Sequence, residues 1–304
     1  MGQKPSDNGY RVLVAHKKSA YDKYVLEEHD ESIAELVSQG HISVRSLESS
    51  HKAHTQSLTK ICEHLSSQGI DFDRLYRGEV TDTEGYDLAI TVGGDGTVLD
   101  LSHRITDTPL LAINSDPQSS IGYFCAGTAA AFPDLLERTL EERWEPFHLR
   151  RFRTRINDET ISVPVLNDVL ITHSNPAAVS HYLLTIDANE PEEQKSSGIW
   201  ISTPAGSTAA IRSAGGYVMP LDSRTLQYLV REPYPLRSTA YHFLKGIRPL
   251  DEHFEVISKM HDGRVFVDGP HLSYPFSIGD VVRIDANAPE LTIYGLDERR
   301  RTAE

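Results

Sequence analysis

The chain has 304 residues, 39% hydrophobic and 24% charged, which is enough for two domains of ordinary size and too apolar for an intrinsically disordered protein. A formal net charge of −14 excludes a broad nucleic-acid or anionic-membrane surface, because those partners are gripped by clustered Lys and Arg. Two cysteines, Cys62 and Cys125, make no disulfide framework and point to a reducing, cytoplasmic compartment, and no apolar run reaches the roughly 20 residues of a membrane span.

The opening MGQKPS fits an N-myristoylation pattern formally, a match too short to carry a conclusion. RVLVA, residues 11–15, then reads as a short apolar strand, the charged stretch to about Val37 as helix, and Ile42–Leu47 as a second strand. Leu58, Ile61, Cys62 and Leu65 recur at helical spacing, with Gly69 as the stop. His51 and His54, three apart, lack nearby Cys or carboxylate partners and read as surface residues rather than zinc ligands. DLAITV (87–92) and PLLAIN (109–114) are buried-type strands either side of a short helix. This rhythm predicts an α/β N-terminal domain over residues 1–148, built on a parallel doubly wound sheet.

From about residue 150 the texture changes. In LRRFRTR (149–155), Arg151, Arg153 and Arg155 alternate and read as one solvated strand face in preference to an anion site. SHYLLTID, GIWISTPAGS, FEVISK, GRVFVDG, DVVRIDA and LTIYGL are short strand-like runs divided by turn residues. They predict an antiparallel β-sandwich-like domain over 149–285, with 286–304 as a C-terminal segment returning to the N-terminal domain. Ser207–Tyr217 reads as a helix across the site, and the Pro-rich Tyr228–Pro249 as a long connecting loop.

The stretch TVGGDGTVLDL (91–101) places its glycines where a strand ends and a helix begins, the position at which parallel sheets collect ligands. Gly93, Gly94 and Gly96 are residues able to take positive φ and to bring backbone N–H groups close to a phosphate. Asp95 is unfavourable beside a polyphosphate, so it needs a task. It accepts a proton from an attacking hydroxyl, helps to hold Mg²⁺, or caps the following helix. The residues alone leave these three open.

GGDGT resembles a motif shared by NAD kinases, diacylglycerol-type lipid kinases and, as a variant ending in Ser, phosphofructokinases, and three further blocks in the same order resemble NAD kinases. These are LNDV (166–169), GIWISTPAGSTAAIRSAGG (198–216), and VDG (267–269) with IGD (278–280). Lipid kinases usually carry their Asn-Glu pair immediately after GGDGT, whereas Asn167-Asp168 follows some 70 residues later. NSDPQSSIG (114–122), QKSSG (194–198) and AHKKSAYDKY resemble the mitochondrial-type branch. The resemblance implies ATP- and Mg²⁺-dependent phosphorylation of the adenosine-ribose 2′-hydroxyl of NAD, or NADH, to NADP(H).

It makes Asp95 the general base and turns the backbone of Gly93, Gly94, Gly96 and Thr97 toward phosphates. Asn114, Asn167, Asp168, Ser197, Thr203, Ala205, Gly206, Ser207, Thr208 and Ala209 become dinucleotide- or nucleotide-contacting residues. No residue set is assigned to a dedicated metal site, and a homodimer or higher homo-oligomer is expected. Ser197 stands where many members carry an acid and Ala210 where many carry Tyr, which implies a changed grip on one base. Two other readings stay beside this one, a lipid or other small-molecule kinase on the same scaffold and a non-catalytic dinucleotide sensor.

Overall fold

The computed structural model describes residues 9–234 and 240–299, so the MGQKPS opening lies outside the described residues. The chain runs through β1 (Arg11–His16), α1 (Glu31–Ser38), α2 (Leu47–Ser67), β2 (Asp71–Tyr76), β3 (Leu88–Gly93), α3 (Asp95–Ser102), β4 (Leu110–Asn114), β5 (Gly127–Thr128), α4 (Phe132–Leu140) and β6 (Phe147–Leu149). There follow β7 (Arg153–Ile156), β8 (Glu159–Thr160), β9 (Asp168–His173), β10 (Ser180–Ile186), β11 (Glu192–Ser196) and β12 (Ile199–Ser202). The remainder comprises α5 (Ala210–Ser213), β13 (Thr225–Val230), β14 (Lys245–Pro249), β15 (Phe254–Ser258), β16 (Gly263–Val267), β17 (Leu272–Phe276), β18 (Val281–Asp285) and β19 (Leu291–Tyr294). Contacts divide these into a first unit, the described residues to Phe147 together with those from Leu291 onward, and a second, His148–Glu290.

The first unit is built on a sheet of order β2-β1-β3-β4-β19-β6, with β5 also on β4. Its pairs β1–β2, β1–β3, β3–β4, β4–β5 and β4–β19 are parallel. β3 and β4 are buried at every residue, as a sheet covered on both faces requires. Alternate residues such as Val14, Ile90 and Ile113 pack on Ile61 and Leu65 of α2 and Leu136 of α4. Each fully buried side chain of this size contributes roughly 1.5–3 kcal/mol. The other alternation, Leu13, Ala15, Ala89 and Ala112, is equally buried. α2 ends as its sequence suggests, since Gly69 follows the Gln68 cap at φ +69, in the left-handed region that releases the chain.

One expected strand is absent. Ile42–Val44 forms a single 3₁₀ turn, capped by the His41 ring, and Ile42 is 80% exposed. The second strand of the sheet is instead β2, DFDRLY, a polar edge strand whose half-buried residues carry little apolar signal.

The second unit has two six-stranded sheets, ordered β11-β10-β15-β18-β7-β8 and β14-β13-β12-β9-β16-β17. Every pair recorded within them is antiparallel. Strict alternation along β10 turns Ser180, Tyr182, Leu184 and Ile186 inward, and their apolar members join Val169, Ile171, Ile199 and Ile201 in one core. This is the expected sandwich.

Three local expectations fail in this unit. Tyr228–Pro249 is not one long loop: β13 and β14 pair antiparallel across it, with Tyr228 opposite Gly246. Gly246 admits that packing, because a Cβ there would lie 2.8 Å from the Tyr228 ring. Pro-rich composition between the strands masked the alternation at either end. Within Ser207–Tyr217 only Ala210–Ser213 is α-helical, after a 3₁₀ turn over Ala205–Thr208. Arg151 is not on a solvated face. It is 1% exposed and donates from Nε to Pro289 O (2.6 Å) and from Nη2 to Glu290 O (3.4 Å), and burial pushes its guanidinium down to about 10.

Candidate active site

The chain order around β1 creates a switch point at the carboxyl end of the first sheet. The strand after β1 joins one side of it as β2, and the next crosses to the other side as β3, so the switch of direction falls between β1 and β3. Ligands collect at such a switch, outside the carboxyl ends. Lys17 follows β1 there and Gly93–Asp95 follow β3, with the Lys17 N–H donating to Val92 O at 3.3 Å.

The glycines of the loop serve a purpose other than positive φ. None of Gly93, Gly94 and Gly96 lies in the left-handed region, and Gly94, the N-cap of α3, has φ −118. A Cβ on Gly93 would stand 2.0 Å from Thr97 Oγ1, and one on Gly94 2.5 Å from Ser120 Oγ. Both are glycines because neighbours occupy the space. At Gly96 a Cβ would meet only Arg77 Nη1 at 3.8 Å, so that side of the loop is open. Thr97 is 1% exposed and packs under Gly93, with its N–H on Gly94 O at 2.9 Å.

Asp95 opens α3, yet its side chain makes no cap on that helix. Its carboxylate instead accepts N–H bonds from Tyr123 (3.0 Å to Oδ2) and Phe124 (2.8 Å to Oδ1). Burial pushes the Asp95 carboxyl above its usual range, and the two amides pull in the opposite direction. Asn114, at the end of β4, turns its side chain to the same loop. Nδ2 donates to Ser120 O (2.8 Å) and Oδ1 accepts from Asp116 N–H (3.1 Å), which makes Asn114 a brace in this structure.

Two cations lie at this edge that sequence reading passed over. Arg77 donates to Gly96 O at 2.6 Å and approaches Asp100 Oδ2 at 3.3 Å. The Lys17 ammonium makes no hydrogen bond or ion pair with the described residues, and burial pushes it below its usual value despite the attraction of Asp116. The signal for Lys17 was its place, one residue past an apolar strand. His54 corrects another expectation: it is 3% exposed, its Nδ1 is 3.0 Å from Ser115 Oγ, and burial, with Lys17 and His16 adding, pushes it down to about 4. His51 points elsewhere, 3.0 Å from Ser19 Oγ and 3.2 Å from Asp22 Oδ1, so the two rings form no pair.

In the second unit β9 starts at Asp168, between β12 and β16. Asp268, at φ +48 just past β16, aims its carboxylate at the turn before β9. It accepts the N–H groups of Leu166 (2.9 Å), Asn167 (2.7 Å) and Asp168 (3.0 Å). Asn167 O in turn accepts from Thr203 N–H (2.9 Å) and Ser202 Oγ (3.1 Å). Thr203 Oγ1 donates to Leu166 O and accepts from Gly206 N–H at 3.0 Å. Gly206 must be glycine here, since a Cβ would lie 2.1 Å from Asn167 O.

These bonds bring Asn167, Asp168, Thr203 and Gly206 into one cluster, with Ala205 next to Gly206 in the chain. Ser207 is fully buried and faces inward, donating to Pro204 O (2.7 Å) and accepting from Met219 N–H (2.9 Å), while Thr208 and Ala209 remain partly exposed. Ser197 is not in the cluster. It lies five residues before Ser202 at the other end of β12, about 16 Å away at strand rise, with its N–H on Arg231 O. Asp268 is the member that sequence reading missed, quoted there only as part of VDG.

The cluster leaves polar atoms unsatisfied. Asn167 Oδ1 is buried with no partner, and the Asp168 carboxyl, 4% exposed, makes no hydrogen bond with the described residues. Burial, reinforced by Asp268, pushes Asp168 up to about 8, which favours the protonated carboxyl, a form able to donate. Buried polar groups ordinarily find partners, and an orphaned amide oxygen next to a buried carboxyl is an arrangement able to take a polar ligand. A separate concavity of about 680 Å³, around the β7–β8 turn and Asp280, contains none of these residues.

Comparison with known proteins gives the arrangement its relatives. Residues 10–144 match the ATP-NAD kinase N-terminal domain. A probable NADH kinase of Oryza sativa subsp. japonica is 34% identical over 264 residues, 80% of this chain and 81% of that protein. The NADH kinase of Arabidopsis thaliana is 36% identical over 271 residues, 82% and 85% respectively. An NAD kinase from Archaeoglobus fulgidus, solved in complex with ATP, superposes with a TM-score of 0.69 over 96% of both chains at 18% identity, a likeness of fold. With two relatives above 30% identity over most of their length, and the glycine loop and Asn-acid turn built as described, the chain belongs to the NAD kinase family.

Proposed function

We propose that this protein transfers the γ-phosphoryl group of ATP to the adenosine-ribose 2′-hydroxyl of NAD or NADH, with Asp95 as general base. The observation that carries the reading is the Asp95 carboxylate, fixed by two amides beyond the carboxyl end of β3 beside a loop open at Gly96. The 2′-hydroxyl proton passes to Asp95 as its oxygen bonds to phosphorus, while the bond from phosphorus to the bridging oxygen breaks and ADP leaves with the electron pair.

The amides around Gly94 and Gly96, with Lys17 and Arg77, take the phosphates. A chain of net charge −14 needs such local cations to hold a polyanion. In the second unit Asn167 Oδ1 accepts from the dinucleotide and protonated Asp168 donates to it, with Thr208 and Ala209 beside them. Thr203, Ala205, Gly206 and Ser207 hold that surface in shape.

Among the described residues no group of three or more His, Cys, Asp or Glu is placed to hold a metal. In this reading Mg²⁺ would arrive with the triphosphate, keep much of its water shell and neutralise charge on the phosphates. The reading includes a homodimer, which light scattering of the purified protein would test. No helix among the described residues is long and apolar enough to cross a membrane.

The test is Asp95→Asn, with products identified by mass after incubation with ATP, Mg²⁺ and NAD or NADH. Turnover should fall by roughly two to four orders of magnitude while NAD affinity changes little. Near-normal turnover refutes the assignment. Phosphate transfer to diacylglycerol and not to NAD favours the lipid-kinase reading, and NAD binding without ATP consumption favours a sensor.

A further inference from the structure

The Asp95 carboxylate depends on a part of the chain far from GGDGT. Between β4 and β5 the residues Ser115–Ala126 return over the glycine loop and are tied down at both ends. Ser115 N–H donates to Gly93 O (3.0 Å) and Ala126 N–H to Ala112 O (2.8 Å). Asn114 braces the middle through Ser120 O and Asp116 N–H, and Ser120 sits against Gly94. Gly122 then turns at φ +66, and the next two N–H groups converge on one carboxylate. A Cβ at Gly122 would stand 2.6 Å from Asn114 Nδ2 and 3.2 Å from Cys125 Sγ, so both the turn and the space require glycine.

We infer that the main-chain N–H groups of Tyr123 and Phe124 position the general base, with Gly122 and Asn114 as the residues that aim them. This rests on the assignment of Asp95 in the proposed function. Each N–H takes a lone pair on a different oxygen and leaves the other lone pair of that oxygen for the hydroxyl proton. The carboxylate cannot rotate without breaking two charge-assisted bonds, so its free lone pairs keep one direction. The amides also oppose protonation, which burial promotes. Without the two amides, burial would act on the carboxyl unopposed and favour its protonated form further.

The test removes one donor at a time and leaves the side chains intact. Replacing Phe124 by phenyllactic acid, through nonsense suppression, turns its N–H into an ester oxygen. Tyr123 is treated likewise with hydroxyphenyllactic acid, and an ester at a solvent-exposed loop residue is the control. The expected result at position 124 is a kcat lower by about tenfold or more, the loss of one hydrogen bond to a charged group. The KM for each substrate stays within about threefold. The acid limb of the kcat–pH profile moves up by about one unit, since a carboxylate deprived of a donor binds its proton more tightly.

A merely structural role would lower stability and leave that limb in place. Gly122→Ala should reproduce the limb shift if it folds, and the esters decide the matter if it does not. A folded ester variant with normal kcat and an unmoved limb overturns the inference. If Asp95→Asn is inactive while both esters are normal, the base stands and its amide clamp falls. If Asp95→Asn retains turnover, the underlying assignment has failed first.

Discussion

Replacing Asp168 with asparagine tests the electrostatics of the second unit, because the carboxyl is 4% exposed and faces Asp268. Its pKa is pushed from 3.8 to about 8 in the folded chain. A carboxyl raised in this way binds a proton in the folded state that the unfolded state has already lost. Stability therefore falls as pH rises from about 4 to about 8, by about 1.4 kcal/mol per unit. An amide side chain does not titrate, so the variant escapes that slope. Between pH 5 and pH 8 the stability of Asp168→Asn relative to wild type should rise by about 4 kcal/mol.

Urea unfolding of both proteins at the two pH values measures the difference, and hydrogen exchange at β9 and β12 amides localises it. Comparison at the same pH cancels every other titrating group. His54 is the important one to cancel, since its folded value of about 4 lies below the usual 6.5. It lowers stability as pH falls through that window, the opposite slope. A gap that stays constant within about 1 kcal/mol from pH 5 to pH 8 would mean that Asp168 is ionised in the fold. The donor role assigned to it would then be wrong.

Other perturbations separate the parts of the site. Lys17→Met should raise the KM for ATP about tenfold with little change in that for the dinucleotide, because one unpaired cation is lost from the phosphate side; an unchanged ATP KM removes Lys17 from that role. Gly206→Ala places a methyl 2.1 Å from Asn167 O, a backbone atom that cannot yield cheaply. It should cost about 1–3 kcal/mol or more in unfolding measurements and weaken NAD binding in calorimetry. Asp268→Asn keeps one acceptor but loses the second oxygen that Leu166 N–H uses, so NAD affinity should drop about tenfold while ATP binding persists.

How much of this was legible in the chain depends on how far apart the partners lie. GGDGT after a largely apolar strand marks its own position, since β3 must be buried and its carboxyl end must open toward ligand. The strand–helix rhythm of the first unit and the strand-after-strand rhythm of the second are local periodicities, and the sheet types followed from them. The polar edge strand β2 has no such periodicity, and neither does β14 behind its prolines. The role of the loop glycines was also illegible, because it is set by Thr97 and Ser120 rather than by φ.

By itself the order of residues determined the two-part architecture, the family, and the acid at the end of β3. These rest on side-chain period and on residues adjacent in the chain. Only the tertiary structure decided that Asp268 holds the main chain of 166–168 from a hundred positions away. It alone placed Tyr123 and Phe124 on Asp95, buried His54 and Arg151, and left the Lys17 ammonium without a partner among the described residues. Hydrogen-bond partners and solvent exclusion belong to contacts between distant segments, and those exist only once the sheets have assembled.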